Sequence, residues 1–141
     1  MRWRNADRDD TIAPDLKPTE DSTMKTSDDQ VNHMILGGKA MEAFEQFYGD
    51  NVEMYENFDP PCLGKDANRK RELEFFGKVG ELHSAELLSS AYDDKKNVGF
   101  SEWVWDLTFK GGPRMQMKQV GVRRWKDGKI VHERFYYKPQ M

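Results

Sequence analysis

The strongest constraint on the fold lies between Phe100 and Tyr137, where three extended runs are separated by two glycine-containing turns. The clearer turn is Lys126-Asp127-Gly128-Lys129. Asp-Gly between apolar, β-branched or aromatic runs favours a two-residue type I′ hairpin, because both central residues need positive φ. Such a hairpin pairs Lys126 with Lys129, Trp125 with Ile130, Arg123 with His132, Gly121 with Arg134 and Gln119 with Tyr136. The other turn is Lys110-Gly111-Gly112-Pro113, where glycine tolerates the tight backbone and Pro113 stays outside the ladder. An even-length turn there sets Phe109 opposite Arg114, Asp106 by Met117, Val104 by Gln119 and Glu102 by Gly121. An odd-length turn or a bulge swaps that parity.

Side chains alternate across a strand, so this pairing defines two faces. One carries Trp103, Trp105, Leu107, Val120, Val122, Val131, Phe135 and Tyr137 and is mostly apolar. The other carries Glu102, Asp106, Met117, Gln119, Gly121, Arg123, His132, Arg134 and Tyr136. Glu102 and Arg134 then flank Gly121, about 10 Å apart between backbones, and are long enough to meet over the missing side chain. Two placements are open. The apolar face is the core and the mixed face is solvated or in a subunit contact, or the mixed face lines a concave ligand pocket.

A chain of 141 residues suffices for one domain with a real core. The formal net charge of −3 argues against a general nucleic-acid surface. A single cysteine, Cys62, excludes an intrachain disulfide and suits a reducing, cytoplasmic setting. His33, His83 and His132 lack metal-ligand spacing, so no metal site is expected. No glycine-rich phosphate loop follows a strand, so no cofactor is expected either. No run reaches the length of a membrane span, and no apolar stretch follows Met1-Arg2-Trp3-Arg4 as in a secretory signal.

Residues 1–26 are rich in Asp, Pro, Thr and Lys and read as a flexible tail, leaving 27–141 as the single domain. Ser27-Asp28-Asp29-Gln30 fits a capping box, and the two aspartates suit the positive end of a helix dipole. Met34, Met41, Phe44 and Tyr48 recur at helical spacing and read as core. Gly37-Gly38 marks a break and Gly49 a stop. Asn51–Asn57 reads as a strand, with Val52, Met54 and Glu56 on one side and Glu53 and Tyr55 on the other. Two prolines and Gly64 make a loop of the next stretch. Asp66 caps a second helix whose buried side is Ala67, Leu73, Phe76 and Val79, with Arg69-Lys70-Arg71 on a solvated face. Cys62 has no setting that would activate it. Leu82–Tyr92 is a further strand leading into the meander. Helices gathered on one side of a strongly curved antiparallel sheet make an α+β fold.

Three segments, in this order, carry a resemblance. Phe44-Glu45-Gln46-Phe47-Tyr48-Gly49-Asp50-Asn51-Val52 leads from helix to strand, and Gly64-Lys65-Asp66-Ala67 opens the next helix. Asp127-Gly128-Lys129-Ile130-Val131 is followed by Glu133-Arg134-Phe135-Tyr136-Tyr137. From about Asp28 to Pro139 the chain resembles the SnoaL-like branch of the nuclear transport factor 2-like superfamily. The resemblance implies a cone-shaped, cystatin-like curved sheet with helices packed on its concave side around a pocket, and a homodimer built on the sheet. Relatives include cyclases, isomerases, dehydratases and hydrolases, and also binding domains without catalysis. In the cyclases a pocket Asp on the last strand is the base. The matching position here is Tyr136, the strand-end Asp is Lys138, and the cyclase histidine falls near Gly121 or Gln119.

The expected function is therefore either acid–base chemistry on a small hydrophobic or carboxylate-bearing ligand, or binding by a dimeric module without chemistry. For catalysis, Glu102 or Asp106 is the candidate base. Tyr136 or His132 is the candidate donor to a developing oxyanion. Arg134, Gln119, Tyr55 and Met117 are the candidate ligand contacts, Arg134 for a carboxylate. A structural Glu102–Arg134 ion pair is the competing explanation of those two residues.

Overall fold

The computed structural model describes residues 20–139. In chain order the elements are α1 (Glu20–Leu36), α2 (Ala40–Phe47), β1 (Tyr48–Glu56), β2 (Cys62–Leu63), α3 (Lys65–Lys78), β3 (Val79–Asp93), β4 (Val98–Phe109), β5 (Arg114–Lys126) and β6 (Lys129–Tyr137). The strands form one curved, open sheet in the order β2-β1-β6-β5-β4-β3. All neighbours are antiparallel except β1 and β6. The sheet is thus mixed rather than wholly antiparallel, because a long excursion separates β1 from β6 and lets them run the same way.

The helical layer differs from expectation at its start. α1 is already helical at Glu20, and Met24 is buried in the core, so Ser27 lies inside the helix instead of capping it. Residues 1–19 of the expected tail lie outside the described residues. Gly37 and Gly38 do end the helix. Gly38 has φ 79°, and Lys39 N–H bonds back to Met34 O at 2.8 Å. Gly49 stops nothing, since Tyr48 already opens β1. Gly64, with φ 91°, precedes α3 in place of an Asp66 cap. Asn68 secures that end by donating from Nδ2 to Cys62 O and Gly64 O, at 2.9 and 2.8 Å. Ala67, Leu73 and Phe76 remain exposed on α3 instead of forming its buried side.

Two one-residue slips decide which side chains share a face. In the Asp-Gly hairpin both central residues have positive φ (Asp127 52°, Gly128 80°), and Lys126 pairs with Lys129. One step further the ladder admits an unmatched residue, Val131. Trp125 pairs with Ile130 but Arg124 pairs with His132, so Gly121 faces Phe135 and Gln119 faces Tyr137. The other turn has odd length: Thr108 pairs with Arg114, which sets Asp106 by Gln116 and Glu102 by Val120. The concave face therefore combines Trp103, Trp105 and Leu107 with Met117, Gln119, Gly121 and Arg123, and with Glu133, Phe135 and Tyr137. Each strand alternates as expected, but the strands are matched differently.

Beneath the helices lies an apolar core. Phe44 stacks on Tyr48 at 4.7 Å and Phe47 meets Trp125 edge-on at 5.8 Å, over Val52, Met54 and Ile130. Inside it is a charged cluster. Arg123 donates from Nε to Glu133 Oε2 at 2.9 Å and from Nη1 to Asn32 Oδ1 at 2.7 Å, and lies 3.4 Å from Asp28 Oδ1. Trp125 Nε1 donates to Asp28 Oδ1 at 2.9 Å, and Tyr48 Oη donates to Glu133 Oε1 at 2.5 Å. Asp28 and Asn32 stand one helical turn apart on α1 and fasten it to β5. Gly99 on β4 makes room: a Cβ there would sit 2.2 Å from Asp28 Oδ2. Gly99→Ala should accordingly destabilise the fold by about 2–4 kcal/mol, since it either displaces a buried carboxylate from its partners or strains the sheet. Denaturant unfolding of the variant measures this, and an unchanged midpoint would mean the cluster does not depend on that approach.

Candidate functional site

Between the concave face and the helices is a cavity of about 420 Å³. Its walls are largely apolar: Phe44 from α2, Phe75 from α3, and Trp103, Trp105, Leu107 and Phe135 from the sheet. The size and lining are those of a small-molecule site. Polar groups enter from three directions. Arg71 and Glu72 come from α3, Glu56 from β1, and Gln119, Arg123, Glu133 and Tyr137 from β5 and β6.

Glu72 is the group best suited to proton transfer. Burial, with the neighbouring Glu133 and Glu56 acting in the same sense and Arg71 against it, pushes its carboxyl up to about 7. Burial likewise raises Glu56, against the pull of Arg71. Glu133 and Asp28 are raised by burial, with Arg123 opposing in both cases. The Tyr48 phenol is held well above its ordinary value, by burial first and Glu133 second, so it stays a donor. Its hydrogen is already committed to Glu133.

Of the sequence-predicted site residues, the fold brings Met117 and Gln119 to the cavity wall. Glu102, Asp106, His132, Arg134 and Tyr136 lie on the opposite, convex face because of the two slips, and Tyr55 on β1 lies there beside Arg134. Glu102 and Arg134 do not meet over Gly121, which lies between Ser101 and Phe135. Glu102 is exposed and accepts from Ser89 Oγ at 3.0 Å. Arg134 lies 4.2 Å over the Tyr55 ring and 5.5 Å over Phe58, and donates to Asn57 O. Asp106 is held by Arg114 through two bonds of 3.0 Å, which lower its carboxyl below the usual range. His132 stacks on Tyr55 at 4.7 Å, and its imidazole is lowered by burial and then by Arg124 and Arg134. Tyr136 is partly exposed and meets Phe58 edge-on.

Sequence reasoning missed Glu72, Arg71, Glu56 and Glu133. For Glu72 there was a signal: Asn68, Glu72, Phe75 and Val79 share one helical face, so a carboxylate sits within an apolar stripe. Among the described residues no three His, Cys, Asp or Glu side chains are grouped to hold a metal ion, and no helix is long and apolar enough to cross a membrane.

Solved structures with this architecture are numerous. A candidate SnoaL-like polyketide cyclase (carbohydrate phosphatase) from Mesorhizobium loti superposes with a TM-score of 0.72 at 24% identity, over 81% of this chain and 98% of its own. A candidate isomerase from Bacillus subtilis gives 0.69 at 16% identity, over 86% and 91%. A nuclear transport factor 2-like (NTF2-like) protein of unknown function from Exiguobacterium gives 0.66 at 14%, over 81% and 99%. At these identities the likeness is one of fold. Comparison with curated proteins finds no match. The sequence profile of the SnoaL-like domain, however, matches residues 22–137, nearly the whole of the described chain, and the chain belongs to that family.

Proposed function

We propose that the protein binds a small, largely apolar molecule in the concave cavity and moves a proton on it, in a reaction of the isomerase, cyclase or dehydratase type. The observation that carries this is Glu72, a carboxyl on the wall of an apolar cavity with its titration brought to about 7. A carboxyl in that range both accepts and returns a proton near neutral pH. Gln119 and Met117 serve as ligand contacts. Binding without chemistry is the alternative, favoured by the resemblance, which sets Tyr136 at the cyclase Asp position and the cyclase histidine near Gly121 or Gln119. On a substrate that turns over, Glu72→Gln should lower kcat at least about 100-fold without lowering the melting temperature. Undiminished turnover would remove Glu72 from the chemistry.

The same carboxyl makes stability depend on pH. Folded protein keeps a proton on Glu72 up to about pH 7, whereas the unfolded chain releases it near 4.5. Between those values the folded state binds more protons, so stability falls as pH rises through the window, by at most about 3 kcal/mol from this group. The melting temperature of Glu72→Gln should decline less than that of the wild type between about pH 5 and pH 8. Parallel declines would show that Glu72 titrates normally.

We also propose a homodimer through the convex face, in a cytoplasmic setting that suits the lone Cys62. Phe58, Phe100, Val120 and Tyr136 are exposed there. Glu86 and Glu102 lie toward β3, and Lys118, Arg124 and Arg134 toward β6. Two-fold pairing sets those opposite charges against each other. Light scattering at micromolar concentration should give the mass of two chains, and a one-chain mass would exclude this assembly.

A further inference from the structure

Two neighbouring polar side chains on the cavity wall are left open by the fold. Gln119 on β5 and Tyr137 on β6 are register partners, so both point to the concave face with Cβ atoms about 5 Å apart. The other polar side chains that β4, β5 and β6 turn to the cavity are engaged or shut away. Trp103 Nε1 donates to Ser101 Oγ at 2.9 Å, and Arg123 and Glu133 are bound into the interior cluster. Trp105 Nε1 is closed off by its surroundings. Among the described residues, the Gln119 amide and the Tyr137 hydroxyl have no hydrogen-bond partner, yet neither is closed off.

Tyr137 is held in place although it ends β6. Its N–H donates to Asn57 Oδ1 at 2.9 Å, and Asn57 N–H donates to Phe135 O at 2.8 Å, which ties this strand end to the end of β1. Burial, with Glu56 and Asp59 acting in the same sense and Arg71 against it, raises the phenol above its ordinary value. The hydroxyl therefore keeps its proton and serves as a donor. The Gln119 amide supplies N–H donors beside it. Two converging donors match the two lone pairs of one carbonyl oxygen. Next to them the wall is apolar: Trp103 is the register partner of Gln119 on β4, and Trp105 is that of Met117.

We propose that Tyr137, with Gln119 beside it, is the specificity-determining residue of the cavity: the two donate to a carbonyl oxygen of the ligand, whose apolar body lies toward Trp103, Trp105 and Met117. This rests on the cavity being the binding site, and it holds whether or not Glu72 performs chemistry. The unmatched Val131 is what turns Tyr137, rather than Tyr136, to the cavity. A two-ring ketone matches the space of about 420 Å³.

The test uses a matched pair of probes, methyl naphthyl ketone and isopropenylnaphthalene. They share shape, and only the ketone has an acceptor oxygen. Calorimetric titration of the full chain should show the ketone binding more tightly, although the alkene is the more apolar. Tyr137→Phe keeps the ring and removes the hydroxyl, so the ketone-to-alkene affinity ratio should fall about tenfold while alkene binding persists. Gln119→Leu, which removes the second donor, should lower the ratio in the same sense. Tyr136→Phe makes the same change one residue earlier, on the convex face, and should leave the ratio as in the wild type. Equal binding of the two probes by the wild type would overturn the role of Tyr137 and leave the cavity as a binding site. A ratio unchanged in folded Tyr137→Phe, or lowered as much by Tyr136→Phe, would overturn it as well. Binding of neither probe would overturn both this inference and the cavity as a site for flat apolar ligands.

Discussion

The guanidinium of Arg123 holds the architecture together. It sits among Glu133, Asn32 and Asp28, with Tyr48 closing the far side of Glu133 and Trp125 the far side of Asp28. One side chain thereby joins α1 to β5 and β6, and through Tyr48 to the start of β1. A buried cation needs such company, because removing one partner strands a charge in a poorly polarisable interior. Two carboxylates around one guanidinium leave an excess of negative charge, and hydrogen bonds from Tyr48, Trp125 and Arg123 itself spread it. The cluster specifies where α1 lies on the sheet; apolar contacts alone would allow it to slide.

That excess charge reaches the cavity. Glu133 is shared between the interior cluster and the cavity wall, and it repels a negative charge on Glu72. The element that anchors the helix thus also helps to keep a nearby carboxyl protonated. Structure and chemistry are coupled here through one residue, so substitutions at Glu133 or Arg123 act on both and cannot separate them. Glu72, outside the hydrogen-bonded cluster, is the position where function can be probed with less disturbance.

The sequence made the number of long strands, the Asp-Gly hairpin, the break at Gly37-Gly38 and the alternation within each strand legible, because each depends on local backbone chemistry. It did not reveal how strands match one another. Val131 carries no local mark of a bulge, and the turn before Arg114 accommodates five residues, from Phe109, as readily to the eye as four. Those two slips moved Glu102, His132, Arg134 and Tyr136 to the convex face, while Met117 and Gln119 stayed at the cavity. The Asp28–Arg123 contact spans 95 positions and has no short-range trace. Glu72 escaped notice for a different reason: a glutamate on a helix is ordinarily solvated, and only its neighbours in space make it otherwise.

The unmatched residue in β6 has an evolutionary side. Because side chains alternate with a period of two, removing one residue at the bulge would rotate the rest of the strand by half a turn. Glu133, Phe135 and Tyr137 would leave the cavity, and His132, Arg134 and Tyr136 would enter it. The back of the strand is in this sense a second lining held in reserve, cationic and imidazole-bearing where the present one is acidic. A single in-frame deletion separates the two, so relatives of this fold can exchange one binding chemistry for another without inventing a new residue.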